Sequence, residues 1–121
     1  KTAHLPEETL TADNFILATG SFMSQGLISD YSHVFEPVLG LDVDSLENRN
    51  DWYNENALKA QPYMDFGVAT DADLHAIKNG RTIENLFVTG SILSGHNNIK
   101  LADGEGVSML TAMYAAKKIV K

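Results

Sequence analysis

Two apolar, glycine-bounded stretches frame a polar middle. Asn14 to Thr19 (NFILAT) is a short continuous apolar run closed by Gly20. A run without polar alternation suits a strand buried on both faces, as in a parallel sheet. Leu86 to Thr89 forms a second short apolar strand ending at Gly90, followed by a Gly/Ser/Asn loop and the glycines Gly104 and Gly106. Beyond Gly106 no Gly or Pro interrupts the chain as far as Val120, and Met109, Ala112, Met113, Ala116 and Ile119 recur at helical spacing. Val107, Leu110 and Tyr114 widen that stripe, which predicts a helix packed against a sheet and against a further element. Lys117, Lys118 and Lys121 sit where positive charge complements the helix dipole, and Asp103 stands at the expected N-cap.

The segments between are shorter and less regular. Lys1 to Asp13 is polar and reads as a hairpin arm or leading edge. Leu27-Ile28 and Val34 to Leu39 read as strands, the second ended by Pro37. Ser45 to Ala60 is predicted to hold one irregular helix, Gln61 to Val68 to be extended, and Thr70 to Ile77 to form another short extended piece. Asn79-Gly80 is a tight-turn signal, because Gly accepts positive φ without steric cost. The pattern therefore predicts an α/β core (α+β as an isolated fragment) divided as 1–20, 21–83 and 84–121. The outer parts supply core strands and a helix, and the middle is a β-rich insertion.

Composition narrows the function classes. With 121 residues, 44% of them hydrophobic, the chain fits one small domain or a piece of a larger one. A formal net charge of −7 argues against nucleic acid or an anionic membrane surface as partner. Cysteine is absent, so no disulfide, iron–sulfur cluster or thiol chemistry resides here. His4, His33, His75 and His96 are scattered without metal-site spacing, and no metal site is expected. No apolar run approaches the ~20 residues of a membrane span, and no signal peptide is visible. The chain enters at Lys1 without a Met, which reads as a piece of a longer protein.

The chemistry-bearing signal is the pair of strand-to-glycine junctions. A glycine after a strand lets a ligand approach the backbone, and a glycine-flanked helix start offers unpaired N–H groups to an anion or a flavin carbonyl. The alternative is that these are loop and cap glycines without a ligand; the presence of Ala18-Thr19-Gly20 as a second junction favours the ligand. His96, in the loop SGHNN, is either a substrate or flavin contact or an exposed loop residue. Arg49 and Arg81 are the guanidiniums available to a phosphate, or else surface and structural partners. Trp52, Tyr53, Tyr63 and Phe66 line a substrate or partner surface, or pack the insertion. Asp42/Asp44 and Asp71/Asp73 lack metal-loop spacing and read as turn residues. No catalytic side chain is identified.

ADNFILATGSF resembles the "ATG" strand of two-dinucleotide-binding-domain flavoproteins, and IENLFVTGS…DGEGVSMLTAMYAA resembles their closing flavin strand and helix. EPVLGLDV, Arg49 with Trp52-Tyr53, QPYMDFGVATDADL and NGRTIENLFVTGSILSG, in that order, are similar to the C-terminal part of the B subunits of anaerobic glycerol-3-phosphate dehydrogenase. The resemblance runs from about Ala12 onward. It implies part of a FAD/NAD(P)-binding Rossmann-like domain in a complex that oxidises sn-glycerol 3-phosphate to dihydroxyacetone phosphate and passes electrons to the quinone pool. Its implied partners are a catalytic A subunit and a membrane-associated iron–sulfur C subunit, with the whole cytoplasmic and peripheral to the inner membrane. The implied cofactor is a flavin, FMN by family habit although such folds usually hold FAD.

By position, Thr19 and Gly20 are implied at the dinucleotide edge, and Gly90 and Ser91 beside the ribityl or pyrophosphate portion. The N–H groups of Gly104, Glu105, Gly106 and Val107 are implied at the flavin pyrimidine ring. The sequence departs from the family pattern at Asp103, where a small residue or Cys is common, and at Glu105, a carboxylate between the two glycines. The G-x-G-x-x-G turn that grips a pyrophosphate is absent, so the chain alone is expected to bind flavin weakly or not at all and to be inactive. The rival readings are a subunit-docking module on a flavoprotein scaffold, and a fumarate-reductase-like or ketosteroid-dehydrogenase-like flavoprotein with another substrate.

Overall fold

The computed structural model describes residues 9–97 and 104–120; the expected N-cap, Asp103, lies outside them. Among the described residues, seven strands and one α-helix follow in the order β1 (Phe15–Leu17), β2 (Ile28–Ser29), β3 (Val34–Phe35), β4 (Val43–Asp44), β5 (Gly67–Val68), β6 (His75–Lys78), β7 (Arg81–Val88) and α1 (Gly104–Ile119). The principal sheet has the order β1-β7-β6: β1 runs parallel to β7 with Leu17 opposite Val88, and β6 is antiparallel to it. The two-stranded sheets β2-β3 and β4-β5 complete the described strands.

The parallel pairing expected of the two apolar runs is present, but complete burial of the first is not. Only Leu17 of β1 is buried, while Phe15 and Ile16 are exposed, because β1 ends the three-stranded order. The β6-β7 turn forms at Asn79-Gly80 with both residues at positive φ (52° and 73°), the backbone a tight hairpin turn requires. Asp42, one residue before β4, fastens that turn by accepting the Asn79 and Gly80 amides, each at 2.8 Å. Further backbone bonds, Asp42 N–H to Ile77 and Ile77 N–H to Ala69, stitch β4 and β5 to β6. The core so enclosed includes Leu17, Leu27, Val68, Ala76, Val88 and Ile92.

The helix expected over Ser45 to Ala60 does not form; Arg49–Asp51 is a single 3-10 turn. Asparagine is the reason. Asn48, Asn54 and Asn56 each accept the amide two residues on (Asn50, Asn56 and Leu58), a local turn that competes with helical hydrogen bonding. Gln61 then holds the loop, accepting from the Asn54 amide and donating to the carbonyls of Asn54, Asn56 and Lys59. Nor is Gln61 to Val68 extended throughout, since Pro62 opens a 3-10 turn over Pro62–Asp65 before β5 begins.

Helix α1 exists as expected but packs by a different face. The centre of the predicted stripe points away from the described protein, with Met109 and Met113 66% and 64% exposed, while Val107 and Ile119 at its ends are half-buried. The face turned inward carries Val107 from the edge of that stripe with Thr111 and fully buried Ala115, whose small or polar side chains allow close approach to the turn after β7. The far end is tied down by Asp73, whose Oδ1 accepts from the Tyr114 hydroxyl at 2.8 Å and the Lys118 ammonium at 2.6 Å.

Candidate functional site

Parallel pairing of β1 and β7 puts the carboxyl ends of both strands side by side. The Thr89 amide donates to the Leu17 carbonyl at 3.0 Å, continuing the ladder one step past the strands. Both chains then turn on a glycine in the left-handed region, Gly20 at φ 76° and Gly90 at φ 82°. A side chain at either is strained by backbone alone. The crevice outside the carboxyl ends of parallel strands is where open α/β sheets hold ligands.

The expected site residues gather here in part. A Cβ built on Gly20 would lie 3.7 Å from the Ser91 hydroxyl, so the two junctions meet. Thr19, one residue earlier, keeps its hydroxyl buried with no hydrogen-bond partner among the described residues. An orphaned buried donor at a strand end suits a polar ligand group, since burial without a partner costs about 1–3 kcal/mol.

Gly90 meets the inward face of α1. Its amide donates to Thr111 Oγ1 at 2.9 Å, while that hydroxyl donates to the Val107 carbonyl at 2.7 Å. A Cβ on Gly90 would stand 3.5 Å from the Ser108 hydroxyl. Thr111 therefore couples the β7 junction to the first turn of α1. Sequence reasoning missed it, because a Thr inside a helix looks ordinary until its partner across space is known.

The remaining four expected residues, Gly104, Glu105, Gly106 and Val107, open α1. First-turn N–H groups of an α-helix have no intrahelical acceptor and carry the positive end of its dipole. Glu105 and Gly106 are exposed, and nothing stands within 4 Å of where a Gly106 Cβ would be, so space is open there.

Beside Ser91 lies a cavity of about 400 Å³ whose wall includes Ser21, Ser24, Tyr63 and His96. His96 is thus half-buried in a cavity wall rather than fully exposed. Arg49 is instead a strut. Its guanidinium carbon lies 5.0 Å from the Tyr31 ring centre and 5.1 Å from that of Trp52, and Nη1 donates to the carbonyls of Asp30 and Tyr31. Trp52 and Phe66 are buried edge-to-face in the core, whereas Tyr53 and Tyr63 line a cleft. Arg81 is exposed at the hairpin end, away from both junctions.

The aspartates behave as turn residues, with one addition. Asp71 accepts the Asp73 and His75 amides, each at 2.9 Å, and meets His75 Nδ1 at 2.9 Å. Burial pushes the Asp71 carboxyl up, but the His75 ring and the two amides outweigh it and hold it below the usual range. Asp73, besides its turn, is the anchor of α1. Hydrogen bonds from Lys118 and then Tyr114 lower its pKa, and the same contact raises that of Lys118. Among the described residues no cluster of His, Asp and Glu has metal-site geometry, and no helix is long and apolar enough to cross a membrane.

Residues 1–107 match the model of the FAD binding domain family. The chain is similar to the B subunit of anaerobic glycerol-3-phosphate dehydrogenase from Yersinia enterocolitica, 45% identical over 111 residues, which are 92% of this chain and 26% of that protein. The corresponding B subunits of Aliivibrio fischeri and Pectobacterium atrosepticum are each 41% identical, over 93% and 98% of this chain and 25% and 28% of their own lengths. The chain thus spans about a quarter of the length of the curated relatives it matches, and the resemblance to B subunits carried by its middle phrases is borne out. No solved structure matches it. With a family model that extends over most of its length, the chain belongs to the FAD binding domain family.

Proposed function

We propose that this chain is the C-terminal part of a flavin-binding subunit in a complex that oxidises sn-glycerol 3-phosphate to dihydroxyacetone phosphate. Similarity to B subunits of the anaerobic dehydrogenase supports the substrate. A catalytic A subunit and an iron–sulfur C subunit leading to the quinone pool complete the complex, which is cytoplasmic and peripheral to the inner membrane. Residues 1–20 and 84–121 belong to a Rossmann-like cofactor domain, and 21–83 form the insertion over it. The exposed apolar faces at Phe15, Ile16, Met109 and Met113 support a larger domain that this chain completes.

The observation that carries this reading is the meeting of two positive-φ glycine junctions, Gly20 and Gly90, at the carboxyl ends of parallel strands. When bound, a flavin would supply the hydride acceptor, its N5. The chain's own part is to bind and orient. Gly20 and Gly90 let the ligand approach the backbone, and the Thr19 and Ser91 hydroxyls offer it hydrogen bonds. The amides of Gly104, Glu105, Gly106 and Val107 present the positive end of α1 to negative charge on the ligand. The cavity beside Ser91, with His96 in its wall, favours an enzyme over a purely docking role.

The test is flavin content. The complete subunit is expected to retain flavin through purification, with mass of the released cofactor deciding FMN against FAD, and to bleach when sn-glycerol 3-phosphate is added to the assembled complex. The chain alone is expected to bind flavin more weakly than micromolar. A complete subunit that neither retains nor takes up flavin overturns the proposal.

A further inference from the structure

Arg49 does more than pin a loop. Two rings and two carbonyls hold its guanidinium in one place, yet those bonds use only Nη1. Arg carries five N–H donors in a rigid fork, so Nε and Nη2 keep their capacity. In a chain with 16 acidic and 9 basic residues, no carboxylate of the described residues lies within ion-pair distance of Arg49. Asp30 accepts the Ser32 and His33 amides on Oδ1 and makes no ion pair with Arg49, and neither Asp30 nor Asp51 lines the cleft that Arg49 faces.

That cleft has a volume of about 290 Å³ and is walled by Phe22, Ser29, Trp52, Tyr53 and Tyr63 together with Arg49. Among the described residues the Tyr53 and Tyr63 hydroxyls have no protein partner, so the cleft offers a fixed cation, phenol donors and the Ser29 hydroxyl. Phe22 and Tyr63, packed edge-to-face at 6.2 Å, also line the cavity beside Ser91, so the two hollows share a wall. A pre-oriented guanidinium with flanking hydroxyls matches a tetrahedral dianion, and aromatic walls suit a short carbon body.

We propose that the Arg49 cleft is a binding site for a small phosphomonoester, with Arg49 as the principal anion contact and Tyr53, Tyr63 and Ser29 as hydroxyl donors. The choice of a short polyol ester over other phosphate compounds rests on the function proposed above. The recognition of the phosphate itself rests on the cleft alone.

Binding is measured by isothermal titration of the complete subunit, oxidised and without turnover, using sn-glycerol 3-phosphate, inorganic phosphate, glycerol and phosphatidic acid vesicles. Both soluble phosphates are expected to bind and glycerol not, with sn-glycerol 3-phosphate the tighter. Binding to the vesicles alone overturns the proposal in favour of a lipid headgroup. Arg49→Gln is expected to weaken phosphomonoester binding about 10- to 100-fold, the range for a hydrogen bond to a charged group, and Arg49→Lys by less. If Arg49→Gln fails to fold, Tyr63→Phe is expected to weaken binding about 3- to 10-fold while circular dichroism stays unchanged. Binding that is absent from the unaltered protein, or unmoved by these variants, overturns the site. Flavin content and bleaching, read on the same samples, report separately on the proposed function.

Discussion

Replacing Thr111 by Val tests how the strand end and the helix are joined. The hydroxyl accepts the buried Gly90 amide at 2.9 Å and donates to the Val107 carbonyl at 2.7 Å. Val has nearly the same shape, so no large cavity forms, and the Val107 carbonyl keeps its helical amide partner. What is lost is the acceptor for Gly90, whose N–H is left buried without one. An unsatisfied buried donor costs about 1–3 kcal/mol. Because α1 is partly exposed at this point, about 1–2 kcal/mol is expected. At this chain length that lowers Tm by roughly 3–5 °C for each kcal/mol. Thr111→Ser keeps the acceptor and removes one methyl, an effect of at most about 0.8 kcal/mol. Urea titration of the three proteins gives the stabilities, and hydrogen exchange of the Gly90 amide gives the local effect. Thr111→Val matching Thr111→Ser in stability, with Gly90 exchange unchanged in both, would refute the coupling. In the complete subunit the same variant is expected to weaken flavin retention, because Gly90 and Ser91 then lose their tether to α1.

Three further outcomes follow from other contacts. Asp73 has its pKa lowered by Lys118 and Tyr114; a carboxyl whose folded pKa lies below its unfolded value contributes fully above about pH 4 and loses that contribution as pH falls through the folded pKa. Docking of the C-terminal half of α1, read by amide exchange, should therefore weaken on acidification, and Asp73→Asn should remove the pH dependence and leave docking weak at neutral pH. Asp42→Ala removes the acceptor for two turn amides and should cost about 1–3 kcal/mol in denaturant titration, with the hairpin amides exchanging faster; protection equal to the unaltered chain would count against that role. Met109→Lys with Met113→Lys should leave stability within about 0.5 kcal/mol and reduce self-association in sedimentation, since both side chains are exposed. A loss above about 2 kcal/mol would mean that the stripe is packed.

Much of the architecture was already present as local signals. Asn79-Gly80 specified its turn because that backbone is one few other residue pairs adopt. NFILAT and NLFVTG read as strands closed by glycine because continuous apolar runs and positive-φ ends are properties of the segments themselves. The helix was legible from its uninterrupted, apolar-rich run. The irregular middle was not, because the Asn side chains of 48, 54 and 56 win the backbone amides by hydrogen bonds that no hydrophobic period records.

Only the tertiary structure decided which face of α1 turns inward. Periodicity marks the face that seeks apolar cover, and here that face is Met109 and Met113, exposed, while Thr111 and Ala115 make the contact. A helix that must lie close to the Gly90 junction needs small residues and one hydroxyl acceptor, and that demand arises across space rather than along the chain. The partners of Asp42, Asp73 and Arg49 were hidden for the same reason. Residue type gives each its charge and donors, but Asn79, Lys118 and the Tyr31 and Trp52 rings reach them only after the sheets are assembled.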